Sequence, residues 1–174
     1  TTAIRDGDDY IISGTKRFIT SGDTASFAQV IAKTDKTKGS HGGFSAFLVD
    51  MDTPGVKVLR KERTMMDDAP CDILFDDVRV PAWKRIGNEG DGFKVAQTWI
   101  NHGRIRHGAR ALGVMERCIE LAAKYAKQRV TFGKPLAERQ AVQWMLVDSF
   151  VALQALRLMV YRTAHKYDRG EDVR

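Results

Sequence analysis

Two cysteines and four prolines are few for 174 residues. Cys71 and Cys118 fit neither a disulfide framework nor a zinc pattern, so a reducing setting is expected. No uninterrupted apolar run approaches the roughly 18 residues that suggest a membrane span, and none is expected. The first residues lack a basic stretch leading into an apolar one, so no secretory signal is expected among them. There is no Walker loop, no Gly-x-Ser-x-Gly elbow and no Gly-x-Gly-x-x-Gly fingerprint. Asp67, Asp68, Asp72, Asp76 and Asp77 lack the spacing and the glycine of an EF-hand. The histidines are His41, His102, His107 and His165; His102 and His107 are five apart and do not share a helix face. No metal site follows, and no self-contained catalytic site.

Positive charge is present in excess. The formal net charge is +6, which admits nucleic acid, an anionic membrane surface or a phosphate-rich small molecule as partner. The cations are interspersed with acids rather than blocked together, a solvated pattern that argues against nucleic acid. The chain opens Thr-Thr-Ala-Ile-Arg without Met and closes on Asp-Val-Arg174 without a helix cap, so a segment of a longer polypeptide is expected.

Short strand-like runs fill the first half. Tyr10-Ile-Ile12 before a Ser13-Gly14 turn, then Lys16–Thr20 before Ser21-Gly22, predict hairpins. Phe27–Ala32 and Phe44–Val49 read as strands around a polar, Gly-rich loop at 34–43. Further strands are expected at Val56–Leu59, at Asp72–Phe75 and in Val78–Pro81, with Met65-Met66 as core or loop filling. After Trp83 the apolar period lengthens. A short helix is expected over Phe93–Ile100 with Asp91 as cap, and a second one from Gly103-Arg104. Ile105, Ala109, Leu112, Met115, Ile119, Ala122 and Ala126 make one stripe; Val142, Met145, Leu146, Phe150, Leu153, Leu156 and Val160 make another. The fold class is therefore α+β. An N-terminal antiparallel β-barrel or sandwich precedes antiparallel helices of an incomplete up-down bundle, with domains at 1–85 and 86–174.

Three stretches carry candidate chemistry. Arg129-Val-Thr-Phe-Gly-Lys-Pro-Leu-Ala-Glu-Arg-Gln140 lies between the long helical patterns. It reads either as an ordinary basic turn or as a clasp for a diphosphate, which the planar guanidinium fork suits. Phe18 and Thr20, two apart, read either as part of a plain hairpin with Phe18 in the core or as a stacking surface beside a hydroxyl for a planar heterocycle. Asn101-His-Gly-Arg104, at an expected helix start, offers backbone N–H groups and a cation to a polar or anionic group.

The order of the motifs adds a resemblance. Gly-Asp-Asp-Tyr-Ile-Ile-Ser-Gly-Thr-Lys-Arg-Phe-Ile-Thr-Ser-Gly comes first, followed by Asp-Thr-Pro-Gly-Val and Phe-Asp-Asp-Val-Arg-Val-Pro. Gly-Asp-Gly-Phe-Lys-Val-Ala, a Gly-Arg and Arg-Val-Thr-Phe-Gly-Lys-Pro-Leu with Gln140 complete the series. It resembles the acyl-CoA dehydrogenase family of flavoproteins along essentially the whole chain, covering that family's middle β-barrel domain and the first part of its C-terminal helical domain.

The resemblance implies FAD as cofactor and an acyl-CoA as substrate. Phe18, Ile19 and Thr20 resemble the Trp-Ile-Thr stretch at the flavin ring; Phe in place of Trp keeps a stacking surface and loses the indole donor. Arg129, Val130, Thr131, Phe132, Arg139 and Gln140 match the motif that reaches the FAD of a neighbouring subunit. Asn101, His102, Gly103 and Arg104 match a stretch at the acyl-CoA, where many members have an acid at the Asn101 position. A glutamate takes the α-proton while the β-hydride goes to flavin N5. That base is expected downstream of Arg174, since Gly103 occupies the alternative base position and has no side chain. The resemblance also implies a homodimer or homotetramer and an electron-transfer flavoprotein as electron acceptor. Mitochondrial matrix, peroxisome and bacterial cytoplasm all remain open. An acyl-CoA oxidase or flavin monooxygenase on the same fold, or a non-enzymatic basic binding module, are the alternatives.

Overall fold

The computed structural model describes residues 1–65 and 68–173 and divides into two compact units, Thr1–Thr98 and Trp99–Arg174. Met66 of the expected Met65-Met66 filler and Asp67 of the acid series lie outside the described residues. Met65 itself is almost fully exposed, so it fills no core.

Unit 1 is built on a seven-stranded sheet. Its strands are β1 (Thr2–Asp6), β2 (Asp9–Ile19), β3 (Phe27–Lys33), β4 (Phe44–Asp50), β5 (Val56–Lys61), β6 (Cys71–Pro81) and β7 (Arg85–Ile86). The spatial order is β5-β6-β2-β1-β3-β4-β7. All neighbours pair antiparallel except β1 and β3, which meet in parallel at Thr2 and Lys33. Alternation sends Tyr10, Ile12, Val30, Ala32, Phe47, Val49, Ile73 and Phe75 into one core cluster.

The strand boundaries differ from the sequence expectation at one informative place. Ser13-Gly14 is no turn; β2 runs straight through it, and the turn is Gly7-Asp8, with Asp6 opposite Asp9 and Gly7 at φ +62°. Gly14 instead allows a close approach, because a Cβ there would stand 2.7 Å from Thr1 Cα. The runs at Asp72–Phe75 and Val78–Pro81 are likewise one strand. Between the pairs Ile12–Val78 and Gly14–Phe75, β6 carries one extra residue, and Asp77 takes it up at φ +50°. That bulge switches the buried positions from Cys71, Ile73 and Phe75 to Val78 and Val80, and Ser13 Oγ donates to Asp77 Oδ1 at 2.6 Å. A bulge inside an alternating run looks like a turn in sequence.

Two long helices follow: α1 (Gly92–Gln128) and α2 (Gln140–Asp168). The expected break near Asn101–Arg104 does not occur. Gly103 costs a helix about 1 kcal/mol relative to Ala, too little to end a segment that continues for about seven turns beyond it, to Gln128. In unit 2 the helices run antiparallel: His102 lies beside Tyr167, Gly108 against Val160, and Arg157 pairs with Glu116 at 2.8 Å. Leu112, Ala126 and Leu153 are buried, whereas Trp144, Met145, Phe150 and Leu158 stay exposed. Between Gln140 and Tyr161 only Asp148 and Arg157 are charged. As a result α2 is long and apolar enough to cross a membrane by length and composition alone, a correction to the expectation drawn from uninterrupted runs.

Candidate functional site

The stretch after α1 is a preformed β-hairpin. Strands β8 (Val130–Thr131) and β9 (Lys134–Pro135) pair Val130 with Pro135 and Thr131 with Lys134. The two turn residues, Phe132 and Gly133, both have positive φ, +51° and +76°. That is the twist a two-residue hairpin requires, although Phe is a costly occupant of the first position. The Arg129 carbonyl closes the loop by accepting from the Leu136 N–H at 2.9 Å, and α2 starts at Gln140. Arg139 donates through Nη2 to the Thr131 carbonyl and places its guanidinium 5.7 Å from the Phe132 ring centroid. Phe132 is 98% exposed. Arg129 is exposed as well, and its guanidinium has no hydrogen bond or ion pair with any described residue. So this one hairpin gathers a cation without a partner, a second cation locked to the backbone and an uncovered aromatic.

The Phe18–Thr20 stretch repeats part of that arrangement in unit 1. Between the pairs Lys16–Ile73 and Ile19–Cys71, β2 holds one residue too many, and Phe18 is pushed to φ +56°. Phe18 is 62% exposed, so it is not a core residue, and the Arg17 guanidinium stands 5.0 Å from its ring centroid. Arg17 also pairs with Asp72 at 3.3 Å. Thr20 lies just past the strand and is exposed, while Ile19 is half-buried. Strand alternation does not place Phe18 and Thr20 on one side, because the bulge and the strand end both intervene.

Asn101, His102, Gly103 and Arg104 sit on the third and fourth turns of α1 rather than at its start. Their N–H groups belong to the helix ladder and offer no anion site, which corrects the sequence expectation. Arg104 Nη1 donates to Asn101 Oδ1 at 3.4 Å. Both side chains line a pocket of about 170 Å³ with Ile105, Gly108, Met159 and Val160. His102 does not line this pocket; its ring centroid is 6.1 Å from that of Tyr167. No group of three or more His, Cys, Asp or Glu residues that could hold a metal occurs among the described residues.

Sequence reasoning missed Arg17 and the strained backbone of both aromatics. No residue type signals φ > 0 at a phenylalanine, since Gly, Asn and Asp are the usual occupants. It also missed Lys16, whose Nζ donates to the Ile31 carbonyl at 2.7 Å and whose burial lowers its pKa.

Residues 1–78 match the family model for the acyl-CoA dehydrogenase middle domain, and residues 90–174 match that for the acyl-CoA dehydrogenase C-terminal domain. The chain belongs to the acyl-CoA dehydrogenase family. Cyclohexane-1-carbonyl-CoA dehydrogenase of Geobacter metallireducens is 40% identical over 98% of the chain and 45% of its own length. The butyryl-CoA dehydrogenase structure from Megasphaera elsdenii superposes with TM-score 0.90 at 40% identity, over 99% of the chain and 46% of that protein. A structure described as PigA with FAD and proline gives TM-score 0.92 at 33% identity, over 99% of the chain and 45% of that protein. The chain thus spans about half the length of the acyl-CoA dehydrogenase relatives that it matches.

Proposed function

We propose that the full-length protein is an FAD-dependent acyl-CoA dehydrogenase, with residues 1–85 as its middle β domain and 86–174 as the first part of its helical-bundle domain. The observation that carries the cofactor assignment is a repeated one. Phe18 and Phe132 are both exposed aromatics in left-handed backbone with an arginine guanidinium near the ring. Strain of about 1–2 kcal/mol at a non-glycine residue persists at sites where geometry serves a ligand. FAD has the matching chemistry: a planar ring system for an aromatic surface and a diphosphate for a free guanidinium.

The residues then take these parts. Phe18, Ile19 and Thr20 border the flavin ring, Phe18 by its face and Thr20 by its hydroxyl. Arg129, Val130, Thr131, Phe132, Arg139 and Gln140 hold the FAD of a neighbouring subunit, with Arg129 binding phosphate and Arg139 bracing the hairpin. Asn101, His102, Gly103 and Arg104 border the acyl-CoA. When bound, the flavin supplies a hydride acceptor at N5 for the substrate β-carbon. A glutamate outside these 174 residues takes the α-proton, which gives a trans-2-enoyl-CoA. A carboxylate can do so when a dry site raises its pKa toward that of the thioester-activated proton. A homodimer or homotetramer is required by the shared sites, and an electron-transfer flavoprotein takes the electrons.

The full-length protein is expected to purify yellow and to bleach when an acyl-CoA is added without oxygen. A colourless protein that added FAD does not restore overturns the proposal. Rapid reoxidation by oxygen, with no need for an electron-transfer flavoprotein, shifts the assignment to an oxidase.

A further inference from the structure

Arg17 and Phe18 are consecutive residues of β2, and successive strand side chains ordinarily point to opposite faces of a sheet. These two meet instead. The Arg17 guanidinium lies over the Phe18 ring, 5.0 Å from its centroid. The extra residue in β2 brings this about. With Lys16 opposite Ile73 and Ile19 opposite Cys71, Arg17 and Phe18 together oppose Asp72 of β6. Two residues against one make a bulge, and bulges re-aim side chains. Here the re-aiming sets a cation on the aromatic beside it.

The cation is anchored across the sheet. Arg17 Nε donates to Asp72 Oδ1 at 3.3 Å, and Arg17 Nη2 stands 3.6 Å from Glu62 Oε1. Arg60, opposite Asp72 on β5, donates to the same Glu62 oxygen and lies 3.9 Å from Asp72. The Asp72 side chain is only 13% exposed, so the anchor is the fixed member of the group. Two arginines meet two carboxylates, which leaves no net charge to draw in a phosphate. Exposed ion pairs of this kind add little to stability. What they fix is the place of one guanidinium.

We propose that Arg17 is a positioning residue for the cofactor: anchored by Asp72 and Glu62, it covers one face of Phe18 and holds the other toward the flavin. The inference rests on the reading that Phe18 borders the flavin ring. A phenylalanine as exposed as Phe18 has little packing to choose its orientation, and the guanidinium supplies it. A cation over an aromatic face is held more tightly once water is displaced, so the contact strengthens as a flavin covers the ring. Phe132 has a comparable backing, since Arg139 is tied to the Thr131 carbonyl with its guanidinium 5.7 Å from that ring centroid.

Titration of the full-length apoprotein with FAD tests it, using Arg17→Leu and Asp72→Asn, each alone and combined with Phe18→Leu. Arg17→Leu is expected to weaken FAD binding about five- to tenfold, and Asp72→Asn, which keeps Arg17 and cuts its anchor, to weaken it by less. Neither is expected to weaken it further in the Phe18→Leu background, a coupling that a merely structural residue does not show. The visible absorption band of bound flavin in Arg17→Leu is expected to match that in Phe18→Leu; a band identical to the parent protein's overturns the proposal. Equal loosening in both backgrounds overturns it as well, because Arg17 then acts on FAD or on the fold and not through the ring. Unchanged affinity in Arg17→Leu, with Phe18→Leu loosened, overturns it and leaves the flavin reading standing. A Phe18→Leu protein that binds FAD as tightly as the parent removes the flavin reading and this inference with it. Urea unfolding of each apoprotein checks the fold, and where Arg17→Leu does not fold, Asp72→Asn carries the same comparison.

Discussion

Phe18 inverts an ordinary rule of substitution. Alanine normally outranks glycine in a strand by about 0.5–1 kcal/mol, because glycine loses more backbone freedom on folding. At φ +56° the order reverses, since alanine keeps the left-handed penalty of about 1–2 kcal/mol that glycine escapes. In full-length protein, Phe18→Gly is expected to match or exceed Phe18→Ala in urea stability, while both lose affinity for FAD. A clear advantage for Phe18→Ala would mean that the residue is not held left-handed. Arg129→Ala is expected to weaken FAD binding about 10–100-fold, the worth of a charge-assisted hydrogen bond, with the melting temperature of the apoprotein unchanged. Equilibrium dialysis of FAD against both proteins measures it. Asp35 gives a cleaner electrostatic test. The Thr37 hydroxyl and N–H, and then Lys38, hold its carboxyl at about 2, below the usual 3.8. A lowered carboxylate pKa contributes stability that is complete above about 3.8 and is lost as pH falls toward 2. An NMR titration should show that midpoint, and Thr37→Val should move it up.

At the scale of elements, the helices separate two kinds of glycine. A Cβ at Gly108 would stand 2.9 Å from Val160 Cγ2, whereas nothing lies within 4 Å of one at Gly113. Gly113→Ala is therefore expected to stabilise the protein by about 1 kcal/mol through helix propensity, and Gly108→Ala to gain less or to destabilise. Thermal unfolding of the two variants decides it. The elements also show what the sequence could reveal. The period of 3.6 located both helices, and the period of 2 located β3, β4 and β5, because those signals come from which side chains are buried. What it hid was continuity. The Asp77 bulge and the Gly14 close approach look like turns in sequence, since a reversal and an inserted residue disturb alternation in the same way. Gly103 looks like a helix start, although a single glycine is a minor cost inside a long helix. For the candidate site, residue types along Arg129–Gln140 were legible, but the hairpin was not. Phe132 in a left-handed turn follows from closure by Arg129 and Leu136, and those partners are set by the fold.

At the scale of the whole molecule, α2 decides how the chain can exist. It exposes Trp144, Met145, Phe150 and Leu158 along a stretch, Gln140 to Tyr161, in which only Asp148 and Arg157 are charged. A patch of this kind must be covered by further helices or by another subunit. If the hairpin serves a neighbouring subunit's FAD, cofactor retention and assembly are linked, because a ligand shared by two chains stabilises their association. Diluting the full-length protein is expected to release FAD over the same concentration range in which the oligomer dissociates. Sedimentation with detection at protein and flavin wavelengths follows both at once. A monomer that stays yellow would break the link.

The Phe132-Gly133 hairpin has a consequence for reloading. Its shape is set by four paired residues, two left-handed turn positions and the Arg139 brace, all internal to unit 2. Ordering such a loop costs about 1–2 kcal/mol per residue, and here that cost is met when the chain folds rather than when a ligand arrives. An empty hairpin keeps its working form. If the hairpin holds FAD, its loss leaves behind a template and not a slack loop, and recharging is limited by encounter with fresh FAD and not by refolding.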